Sequence, residues 1–383
     1  MDFNKKSIAL HRKLKGKFEI KPKIMINSPN ALALAYTPGV AAPCQVIAQT
    51  PHESFNLTAR GNLVAVVTDG SAILGLGNIG PAAGMPVMEG KCVLFKAFAN
   101  VNAVPLCLNT QKIDEIVNIV KALEPSFGGI NLEDISSPRC FEVENRLKKE
   151  LSIPVMHDDQ HGTAIVVAAA LTNAIKVVHK QKGSLKIVIN GAGAAGIAIA
   201  RLLLLMKFGN VVMVDRIGIL NKNNHSLPSH HLDIAKITNK KSESGTLKDA
   251  LRNADVFIGV STGNIVSLEM AQTMHNNAIV FAMANPTPEI LPEIAKKAGI
   301  KVMGTGRSDF PNQINNALVF PGMFRGALDA KAKQITDKMK IAAVNAIASL
   351  IKPNQLKPEY VIPSVLDKRV APAIAKAVTA ASR

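Results

Sequence analysis

The chain has 383 residues, of which 48% are hydrophobic, so it can bury large cores in about two domains. Its longest apolar stretches contain polar residues and fall short of the roughly 18–20 uninterrupted residues of a membrane span, so we expect no membrane partner. The net charge of +17 suggests a nucleic-acid-binding protein, but aromatic residues make up only 4% and the lysines are spread along the chain. We therefore interpret the charge as a solvated basic surface that steers anionic small molecules, with no nucleic-acid partner.

The amino-terminal end and the cysteines bear on the cellular compartment. The first 23 residues hold eight Lys or Arg and two acids, and they lack the apolar core of a secretory signal. A mitochondrial transit peptide is the alternative, although such segments are usually Arg-rich and this one is Lys-dominated. The four cysteines have no metal-like or redox-like spacing, so we expect a cytoplasmic protein in a reducing environment.

Residues 1–60 are expected to be helical and irregular, and the first strand signal follows them. The sequence "NLVAVVT" (62–68) predicts a buried strand, which leads into a glycine-rich loop. Residues 112–123 have helical spacing of their apolar side chains. The next segment, "GGINLEDI" (128–135), predicts a strand that ends in acids.

Beyond His161 the chain alternates between helical and strand patterns. Such alternation indicates βαβ units and a parallel sheet. The predicted elements are a helix near 163–180, a strand at 186–190, a helix at 194–207, and strands at 211–215, 255–260 and 278–284.

The predicted fold class is α/β in two domains. We expect an amino-terminal α/β domain over 1–162 and a carboxy-terminal, Rossmann-type doubly wound domain over 163–383. The helical tail, roughly 325–383, is expected to pack back across the first domain. The segment "HSLPSHH" (225–231) and the lysines around 236–241 predict a surface loop or an exposed helix without chemistry.

The strand at 186–190 runs into "NGAGAAG", whose glycines have GxGxxG spacing. The first glycine permits a tight turn, the second lets the backbone approach a pyrophosphate, and the third allows close packing of helix and strand. Because a strand precedes the loop and a helix follows it, we predict a dinucleotide site at the amino terminus of that helix. The predicted cofactor-binding residues of the loop are Gly191, Ala192, Gly193, Ala194, Ala195 and Gly196.

Asp215 ends the next predicted strand, 24 residues after Gly191. A carboxylate at this place meets the adenosine ribose hydroxyls and repels the 2′-phosphate of NADP, which favours NAD. The neighbouring Arg216 could pair with that phosphate instead. We predict NAD, with NADP as the alternative.

Two acidic dipeptides, Glu133-Asp134 and Asp158-Asp159, each follow an apolar, strand-like run. Three carboxylates brought together at strand ends would form a hard oxygen site suited to Mg²⁺ or Mn²⁺. The alternative for either pair is a helix cap. Asp158 in particular could cap a helix that begins near Thr163, or support the site from behind it.

Two histidines flank the second acidic pair. His157 and His161 are four residues apart and could be zinc ligands. Because thiolates are missing and the surroundings are apolar, we prefer the interpretation that the two histidines pack as polar side chains and do not bind zinc. The neighbouring carboxylates are better suited to Mg²⁺ and Mn²⁺.

Together the motifs resemble the malic enzyme family, specifically its short bacterial form. They cover the chain from about residue 35 to 330 in the family's order, which is far more specific than any single loop. No acetyltransferase-like extension, which some bacterial relatives carry, is expected. The matching segments are "AYTPGVAAPC" (35–44), "VVTDGSAILGLGNIGP" (66–81), "PVMEGKCVLFK" (86–96), "GGINLEDI" (128–135), "HDDQHGTA" (157–164), "GAGAAG" (191–196), "ANPTPEI" (284–290) and "NQINNALVFPG" (312–322).

The resemblance implies oxidation of malate and release of carbon dioxide to give pyruvate, with NAD or NADP and with Mg²⁺ or Mn²⁺. It implies that Tyr36 is the general acid and Lys91 the general base. The other implied residues are the metal ligands Glu133, Asp134 and Asp159, and the amides Asn285, Asn315 and Asn316, which hold substrate and the nicotinamide end of the cofactor.

The residue types fit this chemistry. Lys91, with a pKa lowered beside a metal in a partly desolvated cleft, could accept the C2 hydroxyl proton as hydride leaves. Tyr36 could then protonate C3 of the enolate. Larger eukaryotic members carry an arginine for the substrate carboxylate where this chain has Ala72, so the asparagines, a backbone nest or a partner-subunit residue must replace it.

Other functions remain open at this stage. A malolactic-type enzyme, which gives lactate and retains the nicotinamide, is the alternative within the same family, and decarboxylation of oxaloacetate is an expected partial activity. The non-enzyme alternative is a basic nucleic-acid-binding protein. The resemblance also implies a homodimer or a higher homo-oligomer.

Overall fold

A computed structural model describes residues 3–73 and 75–383 and shows two separate sheets, parallel except for one edge strand, with helices around them. Met1, Asp2 and Leu74 lie outside the described residues, and Leu74 belongs to the predicted motif at 66–81. Parallel strands need crossover connections and are covered on both faces, which the helices provide. The predicted α/β fold class, with a Rossmann-type second half, is confirmed.

The first sheet has four parallel strands in the order β2-β1-β3-β4. The run "LVAVVT" forms the buried central strand because its apolar side chains are covered on both faces. The second strand was not predicted, since Pro105 interrupts its pattern; it lies at the sheet edge, where proline is tolerated. The strands are β1 (Leu63–Thr68), β2 (Asn102–Cys107), β3 (Gly129–Leu132) and β4 (Val155–His157).

Seven helices belong to this half of the described chain. The first three contain no buried residue, whereas the fifth, which begins with Pro81 in its first turn, buries one face against the sheet. Their bounds are α1 (Phe3–Leu14), α2 (Pro29–Ala35), α3 (Ala41–Gln49), α4 (Ser54–Leu57), α5 (Pro81–Ala99), α6 (Ile113–Leu123) and α7 (Arg139–Glu150).

The second sheet has six strands in the order β10-β9-β8-β5-β6-β7, all parallel except the last. The strand order reverses at β5, whose neighbours are β6 and β8, and such a switch point is where dinucleotides bind. The strand Val302–Thr305 is too short to show periodicity and was not predicted. The strands are β5 (Lys186–Asn190), β6 (Asn210–Asp215), β7 (Gly218–Ile219), β8 (Val256–Gly259), β9 (Ile279–Ala282) and β10 (Val302–Thr305).

A long helix, α8 (Asp158–Val177), leads from the first sheet to the second and is buried along most of its length. It begins five residues before the predicted start at 163, because its two acids occupy the first turn, where the helix dipole favours carboxylates. The predicted role of Asp158 as a cap near Thr163 is therefore wrong. The other helices of this half are α9 (Ala194–Leu205), α10 (Ser229–Ala235), α11 (Leu247–Leu251), α12 (Leu268–Gln272) and α13 (Pro292–Lys297).

The carboxy-terminal tail packs back against the first half of the chain, as predicted. It consists of α14 (Phe320–Asp329), α15 (Asp337–Ser349) and α16 (Val370–Ala381). The ring of Phe95 on α5 meets the ring of Phe320 edge-on, with centroids 4.7 Å apart. Among the described residues, no helix combines the length and the apolar character that membrane crossing requires.

Candidate active site

The loops that follow β1, β3 and β4 meet at one edge of the first sheet. Glu133 and Asp134 come directly after β3, while Asp158 and Asp159 begin α8 directly after β4. The amide of Ala72, in the loop after β1, donates to the carbonyl oxygen of Asp134 at 3.0 Å. Parallel strands thus bring both acidic pairs to the same place.

Three of these carboxylates form a possible metal site. One carboxylate oxygen from each of Glu133, Asp134 and Asp159 lies within 4.8 Å of the other two. The backbone N–H of Asp134 donates to Asp159 Oδ2 at 2.8 Å and fixes the two strand ends relative to each other. A set of three carboxylate oxygens matches the ligand preference of Mg²⁺ and Mn²⁺.

The ammonium group of Lys91 reaches this cluster from α5. Its Nζ lies 2.9 Å from Glu133 Oε1 and is also paired with Asp158, and the ring of Phe320 lies 4.4 Å from it. Lysine and its two partners are buried. One ammonium among four carboxylates leaves the cluster with an excess of negative charge, most of which a divalent cation would neutralise.

The charges of the cluster perturb its pKa values. Burial disfavours the ammonium form of Lys91, but the carboxylates of Asp158, Glu133 and Asp159 outweigh burial, and the pKa of Lys91 is raised. The predicted lowering of this pKa concerns Lys91 beside a bound metal and stays a prediction. Burial raises the pKa of Glu133, and the neighbouring Asp159 adds to this effect while Lys91 opposes it.

The two histidines do not form a shared metal site. His157 is fully buried, its Nε2 lies 3.5 Å from Asp159 Oδ2, and burial lowers its pKa. His161 instead contacts Glu144 on α7, at 2.9 Å, and burial lowers its pKa to about 4. Within the described ranges, the potential ligand group contains three carboxylates and neither histidine. The polar-packing interpretation is therefore preferred over zinc.

Tyr36 lies apart from the cluster in this single chain. It follows α2 directly and is 67% exposed, whereas Lys91 is buried. Within residues 3–73 and 75–383, none of the hydrogen bonds or ion pairs joins Tyr36 to Lys91 or to the acids.

The three predicted asparagines lie on loops of the second half of the chain. Asn316 faces the first turns of α8, since a Cβ built on Gly162 would lie 3.1 Å from the Cβ of Asn316. Asn315 uses its side-chain oxygen to cap a short turn, accepting from the amide two residues later at 2.8 Å. Asn285 follows β9 and is exposed, and its carbonyl oxygen lies 3.0 Å from a Cβ built on Gly75. The glycine-rich loop after β1 therefore approaches the Asn285 loop closely.

The backbone near Ala72 gives no support for a nest that binds the substrate carboxylate. The amides of residues 71, 72 and 73 all donate to acceptors within the chain, each at 3.0 Å. The asparagines and a partner subunit remain as the candidate anchors.

The glycine loop after β5 has the geometry that its spacing predicts. Gly191 has φ +111°, and a Cβ there would lie 2.7 Å from the carbonyl oxygen of Val260. A Cβ on Gly196 would lie 1.8 Å from the carbonyl oxygen of Gly191, so only glycine allows the helix to pack this closely. A Cβ on Gly193 would meet nothing within 4 Å, which leaves this side of the loop open to a pyrophosphate.

A histidine that sequence reasoning missed lies beside this loop. His231 on α10 contacts the carbonyl oxygen of Ala192 through Nε2 at 3.0 Å, and its Nδ1 lies 3.7 Å from Asp215 Oδ2. Folding alone brings His231 to the loop, and no local motif signals it; the prediction that its segment carries no chemistry stays a prediction. Arg216 is exposed next to Asp215, so the geometry leaves both NAD and NADP open.

Two family models match the chain. "Malic enzyme, N-terminal domain" matches residues 15–112 and 108–148, and "Malic enzyme, NAD binding domain" matches residues 160–382.

Individual relatives are similar over nearly the full chain. The bifunctional malic/malolactic enzyme of Bacillus subtilis is 54% identical, with 100% of this chain and 93% of the relative covered. The NAD-dependent malic enzyme of Geobacillus stearothermophilus is 52% identical, with 96% and 77% covered. The crystal structure of the NAD-dependent malic enzyme of Thermotoga maritima superimposes with a TM-score of 0.94 at 49% identity, covering 97% of this chain and 98% of that one.

Proposed function

The chain belongs to the malic enzyme family, and from this premise we propose how its site oxidises malate to pyruvate and carbon dioxide with reduction of NAD or NADP. One observation carries the assignment of the site. Lys91 is buried between Glu133 and Asp158 at the edge of a three-carboxylate cluster, next to a loop that approaches Asn285. This arrangement supports the proposal that Lys91 accepts a proton next to a metal site and that the Asn285 loop contributes to the same active site.

Lys91 is the proposed general base. When bound, a divalent cation would stabilise negative charge on the substrate oxygens, and the nicotinamide would accept hydride. Lys91 would take the proton of the malate C2 hydroxyl and later return it. Two of the three carboxylates that raise its pKa, Glu133 and Asp159, are also proposed to hold the cation. A bound cation would offset part of their negative charge and lower the pKa of Lys91 toward the range a base needs. Phe320 and burial keep water from the ammonium group.

We propose Glu133, Asp134 and Asp159 as ligands of Mg²⁺ or Mn²⁺, and Asn285, Asn315 and Asn316 as the amides that hold substrate and nicotinamide. NAD is the proposed cofactor because Asp215 ends β6 with its carboxylate accessible, and NADP is the alternative through Arg216. The proposed domains are 1–162 and 163–383, with the first turn of α8 contributed by the first.

Tyr36 is the proposed general acid, and we propose that it acts in the site of a partner subunit in a homodimer. The helices α1–α3 contain no buried residue, and several apolar side chains on them or between them are largely exposed, among them Ile20 at 87% and Leu34 at 80%. An exposed apolar surface of this extent is typical of a subunit interface. A second copy of the chain would cover it and bring Tyr36 to a buried cleft.

Mixing two inactive variants tests this arrangement. Tyr36→Phe and Lys91→Ala are expected to be inactive alone but to recover about a quarter of wild-type activity after subunit exchange, because half the dimers are mixed and each then holds one intact site. Light scattering confirms the dimer in each sample. Mixed dimers without recovered activity would show that Tyr36 acts within its own subunit.

The proposed reaction is tested with malate, NAD or NADP, and Mg²⁺ or Mn²⁺, with EDTA controls. We expect pyruvate and an equal amount of reduced cofactor, abolished by EDTA. The relative named as bifunctional favours a second candidate, the malolactic reaction. Lactate formed without net NADH would identify it, and oxaloacetate as substrate tests the decarboxylation step separately.

A further inference from the structure

A buried carboxylate outside the metal cluster connects two loops of the second sheet. Glu289 is fully buried; its Oε1 accepts the amide N–H of Ser261 at 2.9 Å, and its Oε2 accepts the amide N–H of Ala284 at 3.0 Å. Both oxygens therefore accept from backbone donors, which is the pattern of an ionised carboxylate.

The first of these loops follows β8 and lies against the nucleotide loop. The side chain of Asn190, at the end of β5, donates to Ser261 Oγ, and the Val260 carbonyl lies against Gly191. The second loop follows β9 and carries Asn285 directly after Ala284. A single carboxylate thus joins the backbone beside the glycine turn to the backbone beside Asn285, whose side-chain amide is proposed to hold the nicotinamide.

The surroundings of Glu289 are arranged for this contact. A Cβ on Gly259, the last residue of β8, would lie 2.3 Å from Glu289 Cδ, so the absence of a side chain there makes room for the carboxylate. Among the described residues, none of the ion pairs includes Glu289. Burial raises its pKa while the amides of Ser261 and Ala284 oppose this effect, so the backbone is its main source of positive potential.

We propose that Glu289 is a positioning residue that sets the distance between the β8 and β9 loops and thereby shapes the nicotinamide end of the cofactor site. The inference rests on the proposed function, because the cofactor and Asn285 give the two loops their roles. A buried acid that accepts from two loops acts as a rigid spacer, since loss of either bond leaves a backbone N–H without its acceptor.

Glu289→Gln tests the role. The amide keeps the shape but presents an NH₂ group to one of the two backbone donors, so one loop is released. We expect the Kd for NADH, measured by fluorescence titration, and the KM for NAD each to rise about tenfold, which corresponds to the loss of one well-placed hydrogen bond. The affinity for Mn²⁺ is expected to stay at the wild-type value.

The controls distinguish an effect of Glu289 on cofactor binding from an effect on protein stability alone. Glu293→Gln, on the exposed surface of α13, is expected to leave the Kd and KM unchanged. If Glu289→Gln does not fold, Glu289→Asp replaces it, because the shorter acid cannot reach both amides, and the same rise is expected.

A wild-type Kd and KM in a folded Glu289 variant, with only a lower unfolding temperature, would overturn the proposal. The NADH titration needs no turnover. A chain that binds NADH but gives no pyruvate from malate would therefore refute the proposed function without affecting this measurement.

Discussion

The carboxyl edges of the two sheets present different kinds of chemical group. At the first, buried charged side chains meet, with Lys91 paired to Glu133 and Asp158. At the second, glycines and backbone amides form an open turn in which Gly193 has free space on its side-chain face. A side-chain site depends on charge balance, whereas a backbone site depends on the volume of the residues around it. Substitutions that remove charge and substitutions that add volume should therefore act on different halves of the molecule.

The largest effect is expected from Lys91→Ala. Removal of the proposed base should lower kcat by about 10³-fold, within the usual range for general acid–base groups. The Kd for NADH should not change, because the lysine belongs to the first sheet edge. Steady-state kinetics and a fluorescence titration measure the two effects. Lys96→Ala provides the control, since this lysine lies on the same helix but is exposed; an equal loss of kcat there would contradict the assignment.

Asp159→Asn should weaken metal binding by about 100-fold, because one of three charged oxygen ligands becomes neutral. Electron paramagnetic resonance of free Mn²⁺ measures the affinity directly. Glu142→Gln, on the exposed side of α7, is expected to bind Mn²⁺ like the wild type. An unchanged Mn²⁺ affinity in Asp159→Asn would mean that the cation binds elsewhere. A changed NADH affinity would mean that the two sheet edges are not independent.

Acid should destabilise the first edge through His161. Burial lowers its pKa from 6.5 to about 4, so the unfolded chain binds a proton in this interval and the folded chain does not. The contribution of His161 to the free energy of unfolding should therefore fall as the pH decreases from about 6.5 to about 4, by on the order of 3 kcal/mol. The raised pKa values of Asp158 and Glu133 act in the opposite direction, so the contribution is measured as the difference between the wild type and a His161 variant.

Urea unfolding across this range, with EDTA present, measures the acid effect. The curve of His161→Gln should differ from that of the wild type by this contribution, while His225→Gln, on an exposed loop, should follow the wild type. A curve of His161→Gln that coincides with the wild type would assign the acid sensitivity to other groups.

Gly193→Ala should have the smallest effect and should be confined to the second edge. The added methyl group has space in the protein, and the φ of −85° suits alanine, so the unfolding temperature should stay near the wild-type value. The methyl group would occupy the approach of the pyrophosphate, and the Kd for NADH should rise about tenfold. Gly183→Ala, also in open space but on a remote turn, is the matched control. Tight NADH binding by Gly193→Ala would mean that the phosphates lie elsewhere.

Local patterns were sufficient to predict most of the second half of the chain. The strand at 186–190 and the glycine loop after it were located from sequence, since each depends on neighbours in the chain. The start of α8 was misplaced because its acids look like caps, while the true N-cap is His157. The edge strand β2 was missed because proline hides its pattern.

The site itself was only partly predictable. The acids at strand ends could be identified because carboxyl ends of parallel strands converge, and the structure brings Glu133, Asp134 and Asp159 together. The contacts of His231 and Glu289 depend on loops distant in sequence, which no local spacing encodes. The raised pKa of Lys91 in the absence of a metal was not predicted, because it depends on how many carboxylates surround the ammonium group. The roles of Lys91 and of the three acids in catalysis stay predictions.

Substitutions in the helix α8 are expected to be tolerated less well than substitutions in other core helices. Its first turn carries Asp158 and Asp159, and its body is core for the second half of the chain and the tail, where Asn173 donates to the carbonyl oxygen of Ala348 at 3.0 Å. A core helix usually tolerates repacking as long as the chain stays folded. Here a small axial shift of the same helix would also move Asp158, which pairs with Lys91, and the proposed metal ligand Asp159. Enlarged side chains in the middle of α8 should therefore reduce turnover before they reduce the yield of folded protein.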